Sequence, residues 1–364
     1  MDVLILAKLA SGLVLLIVGA ELLVRGAARL ALGLGLSPLV VGLTVVAYGT
    51  SAPEMAVSVG SALEGRGDLA IGNVVGSNIF NVLFILGLSA TLAPLVVGWP
   101  LVRLDVPILI AASLALAALA FDGALERTDG ALLVAGGVAY TLLCVARARR
   151  EPAPEELPGS PPGPRGLRGG VAVTASVAAG LALLVAGAGL LVDGAVGVAR
   201  ALGVSELVIG LTVVAAGTSL PEVATSVLAT LRGQREIAVG NVVGSNIFNI
   251  VGVLGVAVLA TPGGVSVPAA VRSFDLPVMV AVAVACLPIF FTGYRVARWE
   301  GLLFLGYFGA YTAWVLLAAS EHDALDTFGT IVLGFVAPLT AVTLAVLALR
   351  TLRERRGPPT PDDG

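Results

Sequence analysis

The stretch "GTSAPE" occupies residues 49–54, inside an apolar segment that is long enough to cross a membrane. A similar stretch, "GTSLPE", occupies residues 217–222, 168 positions later in an equally apolar segment. Proline removes a backbone N–H and disrupts the preceding helical turn, and a carboxylate inside a membrane is costly unless it is neutralised. The two stretches therefore predict two broken membrane helices, each with a glutamate that serves a function.

A duplication surrounds both stretches. Residues 37–94 align with residues 205–262 without a gap, and 33 of the 58 aligned positions are identical. Upstream, "GAELLVRGA" at 19–27 matches "GAGLLVDGA" at 187–195. Each half is predicted to hold five helices, and because five is odd the second half must enter the membrane from the opposite side. Such inverted repeats are typical of secondary transporters, whose substrate binds at mid-membrane where the repeats meet.

The composition places the chain in a membrane. Of its 364 residues, 57% are hydrophobic and 12% are charged, with a mean hydropathy of +1.01, whereas a soluble domain has roughly 25% charged residues. The fold class predicted is an all-α polytopic membrane protein with two inverted five-helix repeats and one additional C-terminal transmembrane helix. A span needs roughly 20 apolar residues, and eleven are predicted, at 3–25, 38–63, 68–93, 102–121, 130–148, 171–192, 206–231, 236–260, 273–292, 299–319 and 327–349.

The repeats set the expected domain boundaries. The first five-helix repeat is expected at 1–148 and the second, inverted one at 170–320. Residues 149–169, rich in proline, glycine and charge, predict a flexible cytoplasmic linker between them. Residues 321–364 are expected to hold the extra transmembrane helix and a basic cytoplasmic tail.

Basic residues are distributed unevenly between the two sides of this topology. Sixteen of the 21 Lys and Arg residues fall on one side. Because basic loops are retained in the cytoplasm, the N-terminus is expected outside and the C-terminus in the cytoplasm. The preference for Arg over Lys and the short loops favour a prokaryotic inner (plasma) membrane.

Glu54 and Glu222 are the centre of the predicted site. Neither their spans nor the helices that follow contain Lys, Arg or His, so the counter-charge must be a proton or a metal cation. Each following helix carries "GNVVGSNIFN", at 72–81 and 240–249. The carboxylate, hydroxyl and amide oxygens of these segments suit Ca²⁺ or Na⁺ as ligands and do not suit a soft transition metal. The polar stripe consists of Asn73, Ser77 and Asn81 in one copy and Asn241, Ser245 and Asn249 in the other; for Asn73 and Asn241 a structural role between helices is an equal alternative.

The paired motifs resemble the alpha repeats of the cation/Ca²⁺ exchanger superfamily, and in particular those of prokaryotic sodium/calcium exchangers. The resemblance covers both halves and implies a ten-helix fold in which helices two, three, seven and eight bear the site. Helices one and six are implied to slide across that core. The implied Ca²⁺ ligands are Glu54 and Glu222 with the backbone carbonyls of Thr50 and Thr218, and the implied Na⁺ sites share these threonines and add Ala47, Ser51, Ser77, Ala215, Ser219 and Ser245.

The amide positions are where the chain both follows and departs from this family. Asn81 matches the family pattern. Asn249 stands where many sodium/calcium exchangers have an aspartate, so the predicted site has one negative charge fewer. The coupling ion, Na⁺ or H⁺, therefore stays open at this point.

The expected function is exchange of Ca²⁺ for Na⁺ by alternating access. Two alternatives are a Ca²⁺/H⁺ antiporter that uses the same two glutamates and a passive cation channel. An enzyme is not expected, because the chain has one His and because Cys144 and Cys286 lie singly in different spans. No cofactor, nucleic acid or obligatory protein partner is expected; the partners are Ca²⁺, Na⁺ or H⁺, and the lipid bilayer.

Overall fold

The computed structural model describes residues 3–148, 166–202, 215–320 and 324–354. Within these residues the chain is helical apart from short loops and four two-residue strands. The helices are α1 (Val3–Leu34), α2 (Pro38–Thr50), α3 (Ala52–Leu63), α4 (Gly67–Leu92), α5 (Leu101–Leu119), α6 (Arg127–Ala148), α7 (Gly166–Ala201), α8 (Ala215–Gly217), α9 (Leu220–Leu231), α10 (Arg235–Ala260), α11 (Val271–Phe291), α12 (Arg298–Ala319), α13 (Ala324–Ile331) and α14 (Ala337–Glu354).

Most of the predicted membrane spans are confirmed. Among the described residues, eight helices are long and apolar enough to cross a membrane, and the bent pair α2 and α3 makes a ninth. The predicted span 206–231 lies partly outside the described residues, and its described part is α8 and α9. The predicted span 327–349 is helical, but its apolar helix, Ala337–Leu347, is shorter than a full span.

The first helix of each repeat is longer than predicted. α1 has 32 residues and α7 has 36, which at 1.5 Å per residue makes them about 48 and 54 Å long. Because the hydrocarbon core is only about 30 Å thick, helices of this length must tilt or extend beyond it. α7 begins at Gly166, two residues after the last proline of the predicted linker, at position 164. Of that predicted linker, residues 166–169 are therefore helical, and residues 149–165 lie outside the described part of the chain.

The two glutamate-bearing stretches break their helices as predicted. α2 ends at Thr50, α3 begins at Ala52, and the two axes differ by 46°. Pro53 lies in the first turn of α3, where its missing N–H is tolerated, and it is followed directly by Glu54. In the second repeat, α9 begins in the same way and carries Glu222 in its first turn.

Two small sheets join the repeats. β1 (Leu95–Val96) pairs antiparallel with β4 (Arg295–Val296), and β2 (Ala124–Leu125) pairs antiparallel with β3 (Val265–Ser266). β1 and β3 occupy equivalent places in the two halves, and so do β2 and β4. Each pairing is therefore the counterpart of the other, as a two-fold relation between inverted repeats requires.

Backbone contact between glycines joins α1 to α7. A Cβ atom added to Gly19 would lie 2.8 Å from the Leu184 nitrogen, and one added to Gly187 would lie 2.8 Å from the Gly12 oxygen. No side chain larger than hydrogen fits such a separation without a shift of the backbone. These glycines let the first helices of the two repeats pack directly against each other.

α4 and α10 form the centre of the molecule. In the most apolar 18-residue stretch of each helix, 72% of the residues are buried in α4 and 78% in α10, against 22% in α1. These are the two helices that carry "GNVVGSNIFN". α14 lies at the periphery, where it packs on α11 and where the Tyr307 hydroxyl of α12 donates a hydrogen bond to Thr340 over 2.7 Å.

Candidate functional site

Glu54 and Glu222 are held across the boundary between the repeats. Both are fully buried. The Ser219 hydroxyl donates a hydrogen bond to Glu54 Oε1 over 2.8 Å, and the Ser51 hydroxyl donates one to Glu222 Oε1 over 3.0 Å. None of the ion pairs found among the described residues includes either glutamate.

Among the described residues, four side-chain oxygens at equivalent positions of the two repeats receive no hydrogen bond. They are Oε2 of Glu54 and Glu222 and Oδ1 of Asn81 and Asn249, and all four are buried. Leaving a buried acceptor unsatisfied costs about 1–3 kcal/mol, and more when it is charged. A group of acceptors without donors is suited to a positively charged ligand.

The predicted serines belong to the same network. Ser219 Oγ lies 3.2 Å from Ser77 Oγ, which is one helical turn before Asn81 on α4. In the other half, the Ser245 hydroxyl donates a hydrogen bond to the Ala47 backbone oxygen over 3.5 Å. The hydroxyl groups therefore connect the broken helices to α4 and α10.

Asn73 and Asn241 secure the helix breaks. The Thr50 hydroxyl donates to Asn241 Oδ1 over 3.1 Å, and Asn241 Nδ2 donates to Ser226 Oγ over 2.9 Å. Because both ends of the amide are engaged by protein, the arrangement supports the structural alternative for these two asparagines. The counterpart chain of contacts runs through Thr218, Asn73 and Ser58, at 3.4 and 2.9 Å.

Asn78 and Asn246 are part of the site, although the sequence pattern did not single them out. Asn81 Nδ2 donates to Asn246 Oδ1 over 3.0 Å, and Asn249 Nδ2 donates to Asn78 Oδ1 over 3.2 Å. Both lie within the repeated segment, but they fall outside the stripe in which a polar residue recurs every fourth position. The one available signal was that they precede Asn81 and Asn249 by three residues and so share a helix face with them.

The two halves differ next to the site. Tyr48 stacks on Phe248 with ring centroids 4.1 Å apart, and its hydroxyl lies 2.6 Å from Thr141 Oγ1. In the second repeat Ala216 takes the place of Tyr48. This aromatic contact therefore joins the break of the first repeat to α10 of the second, and it has no aromatic counterpart at position 216.

The structure brings the predicted site residues together. Thr50, Ser51, Glu54 and Asn81 form contacts across the repeats that their counterparts reproduce, whereas Ser77 contacts Ser219 and its counterpart Ser245 contacts the Ala47 backbone oxygen. Ala215 is the first residue of α8 and adjoins residues 203–214, which lie outside the described part of the chain. The counterparts of Thr50, Ser51, Glu54, Ser77 and Asn81 are, in that order, Thr218, Ser219, Glu222, Ser245 and Asn249. That these residues bind the ions stays a prediction.

This arrangement is suited to a hard cation. Its possible metal ligands are two carboxylates, hydroxyls, amide oxygens and backbone carbonyls, and Ca²⁺ prefers oxygen ligands of these kinds. Both carboxylates lie in the first turn of a helix, where the backbone N–H groups favour negative charge. With Asn at position 249, the two ionised glutamates give the four side chains that carry these oxygens a combined charge of −2.

Comparison with known proteins matches both halves of the chain. A family profile described as "Sodium/calcium exchanger protein" matches residues 4–146 and 172–317. The inner membrane protein YrbG of Escherichia coli is 37% identical over 290 residues, which cover 77% of this chain and 87% of YrbG. The sodium/calcium exchanger MaX1 of Methanosarcina acetivorans is 34% identical over 337 residues, which cover 83% of this chain and 96% of MaX1.

A solved structure has the same fold. The sodium-calcium exchanger NCX_Mj, soaked with 10 mM Na⁺ and 10 mM Sr²⁺, matches with a TM-score of 0.74 at 31% identity. The match covers 88% of this chain and 99% of NCX_Mj. The two ranges matched by the family profile fall within the two predicted repeats, and the residues after 317 lie beyond it.

Proposed function

Because this chain belongs to the sodium/calcium exchanger family, we propose that it is a secondary antiporter that moves Ca²⁺ against Na⁺ across the membrane. The observation that carries the proposal is the set of four buried, donor-free oxygens on Glu54, Glu222, Asn81 and Asn249. Half of them come from each repeat. A single cation in contact with all four would satisfy them.

Competition for these oxygens couples the two ions. Ca²⁺ and Na⁺ bind the same oxygen ligands, so the site holds one ion or the other. Two buried carboxylates without a cation are costly to enclose in a membrane interior, so the empty site does not pass readily between the two faces. Exchange then dominates over leak.

Alternating access requires the site to open to each side in turn. In their apolar stretches α1 and α7 are 22% and 28% buried, against 72% and 78% in α4 and α10, and they pack on each other through glycine backbones. We assign the movement to this pair, which slides as a unit across the core that bears α4 and α10. The N-terminus is placed outside and the C-terminus in the cytoplasm, because sixteen of the 21 basic residues then face the cytoplasm.

Protons are the second candidate for the coupling ion. Each glutamate has one oxygen, Oε2, without a hydrogen bond, and a proton on that oxygen neutralises the group as a cation does. Asn249 supports this candidate, because a site with fewer carboxylates has less affinity for Na⁺. The passive channel is disfavoured, because Glu54 and Glu222 are both closed off from solvent.

Flux through reconstituted vesicles tests the proposal. Vesicles containing the purified protein are loaded with radiolabelled Ca²⁺, and a Na⁺ gradient or a pH gradient is imposed separately. We expect Ca²⁺ efflux to follow the Na⁺ gradient at equal pH. Efflux that follows only the pH gradient would replace Na⁺ by H⁺, and efflux that needs no gradient of either ion would overturn antiport.

A further inference from the structure

We propose that Asn78 and Asn246 are positioning residues that hold the amide oxygens of Asn249 and Asn81 toward the transported cation. The inference rests on the proposed function, since it assigns roles within the same cation site. It concerns two residues that contact the cation ligands rather than the cation.

A side-chain amide has two unlike ends. Its oxygen accepts hydrogen bonds and can bind a cation, whereas its NH₂ group only donates and repels one. A half-turn about the last side-chain bond exchanges the two ends with little change in shape. An asparagine is therefore a dependable cation ligand only where its surroundings fix which end faces the site.

The cross-repeat contacts fix that choice. Asn249 Nδ2 donates to Asn78 Oδ1 over 3.2 Å, and Asn81 Nδ2 donates to Asn246 Oδ1 over 3.0 Å. An amide oxygen can only accept, so it binds the NH₂ end of its partner. The opposite end, Oδ1 of Asn81 and of Asn249, is then left without a donor.

The orientation of Asn78 is itself anchored. Its Nδ2 donates to the backbone oxygen of Asn246 over 3.2 Å and lies 3.7 Å from Met279 Sδ. A backbone carbonyl in a helix does not rotate, and it accepts only. The orientation is thus passed from the α10 backbone to Asn78, and from Asn78 to Asn249.

A carboxylate at position 249 has no need of this contact. Its two oxygens are equivalent, so either orientation presents an oxygen to the cation, and it has no NH₂ group for Asn78 Oδ1 to accept. The proposal therefore predicts that Asn78 matters when residue 249 is Asn and matters little after Asn249→Asp.

A double-mutant cycle on the purified full-length protein tests this prediction. Ca²⁺ affinity is measured by titration calorimetry for the wild type, Asn78→Ala, Asn249→Asp and the double variant. Loss of an orienting contact to a metal ligand typically costs 10- to 100-fold in affinity, and we expect a loss in that range for Asn78→Ala alone. In the Asn249→Asp background we expect the same substitution to change affinity less than about threefold, which is the non-additivity that residues in contact show.

Asn73→Ala serves as the matched control. Asn73 lies on the same helix, and its hydrogen bonds among the described residues join it to Thr218, Ser58 and the Glu54 backbone oxygen rather than to Asn249. Whatever its effect on Ca²⁺ affinity, that effect should be the same in both backgrounds. Thermal unfolding in the absence of Ca²⁺ shows whether each variant is folded.

The outcomes separate the two proposals. A wild-type protein that binds neither Ca²⁺ nor Na⁺ overturns the proposed function. A wild-type protein that binds Ca²⁺, with equal losses for Asn78→Ala in both backgrounds or no loss in either, overturns only the positioning role. If Asn78→Ala does not fold, the symmetric cycle with Asn246→Ala and Asn81→Asp gives the same test.

Discussion

At the centre of the molecule, each glutamate is hydrogen-bonded by a serine of the other repeat. The Ser51 hydroxyl donates to Glu222, and the Ser219 hydroxyl donates to Glu54. Neither half therefore forms a complete site. In the part of the chain that the structure describes, a serine hydroxyl donates to one oxygen of each glutamate and no group donates to the other. The partner that completes them must therefore be positively charged, and the described ion pairs do not supply it.

Glu54→Gln is expected to abolish Ca²⁺ exchange while the protein still folds. The substitution keeps the shape of the side chain but removes half of the site's negative charge. Removing one partner of a buried charge pair costs about 3–5 kcal/mol, so Ca²⁺ affinity should fall by about 100-fold or more. Vesicle flux and Ca²⁺-dependent thermal stabilisation measure the two effects.

Glu64→Gln is the control for that experiment. Glu64 caps the same helix at its exposed end and pairs with Arg66 there, and an exposed ion pair contributes only about 0–1 kcal/mol. We expect normal flux in this variant. Normal flux in Glu54→Gln as well is incompatible with the assigned site.

At this scale the sequence predicted most members of the polar network that the structure shows around the two glutamates; that they bind the ions stays a prediction. The two glutamates and the serines were identified because unpaired polar groups stand out in an apolar span and occur twice. Asn78 and Asn246 were not, because their role depends on contacts between residues 165 or more positions apart. No pattern within one helix reveals such a contact.

Among the elements, the breaks between α2 and α3 and before α9 set the geometry of the site. Proline and glycine made both breaks predictable, and the 46° bend confirms the first. The lengths of α1 and α7 were underestimated, because apolarity marks where a helix leaves the hydrocarbon core and not where it ends. The extents of the linker and of the seventh span fall partly outside the described residues.

The contact between α1 and α7 can be tested on one helix. A Cβ atom added to Gly187 would lie 2.8 Å from the backbones of Gly12 and Leu16, whereas one added to Gly189 would meet nothing within 4 Å. Overpacking costs about 1–3 kcal/mol, so Gly187→Ala should lower the unfolding temperature and slow exchange. Gly189→Ala should leave flux unchanged and stabilise the helix by up to about 1 kcal/mol.

Equal behaviour of the two alanine variants in melting and flux measurements is the result that counts against a backbone-to-backbone contact here. The pair also separates two effects of Gly→Ala. Both substitutions raise helix propensity, but only one introduces an atom between α1 and α7.

For the whole molecule, the two repeats produce one site because the contacts of its glutamates and amides run between the repeats in matched pairs. The sheets β1–β4 and β2–β3 and the two serine–glutamate hydrogen bonds follow the same rule: each joins one repeat to the other, and each has an equivalent related by the two-fold axis. The duplication and the odd helix count predicted this inverted arrangement, and the match to NCX_Mj confirms the fold. The aromatic pair Tyr48 and Phe248 was not predictable, because it departs from the repeat.

Charge balance makes a prediction about the whole transport cycle. With Asn at position 249, two glutamates contribute a charge of −2, which one Ca²⁺ or two monovalent cations neutralise. If both loaded forms are neutral, exchange moves no net charge. The final Ca²⁺ gradient in vesicles at a fixed Na⁺ gradient should then be independent of an imposed K⁺ diffusion potential.

An electrogenic cycle gives a clearly different result. One net charge moved per turnover is worth about 2.3 kcal/mol per 100 mV, which shifts the final Ca²⁺ ratio about 50-fold. A shift of that size contradicts the neutral cycle, although antiport itself survives it.

The most direct measurement locates the cation between the repeats. In an experimental structure obtained with Sr²⁺ in place of Ca²⁺, anomalous scattering identifies the ion. We predict a single strong peak at mid-membrane, in direct contact with Oε2 of both Glu54 and Glu222 at about 2.3–2.6 Å, the range for Ca²⁺–oxygen contacts. A peak that touches only one glutamate, or that lies outside the repeat boundary, contradicts a shared site.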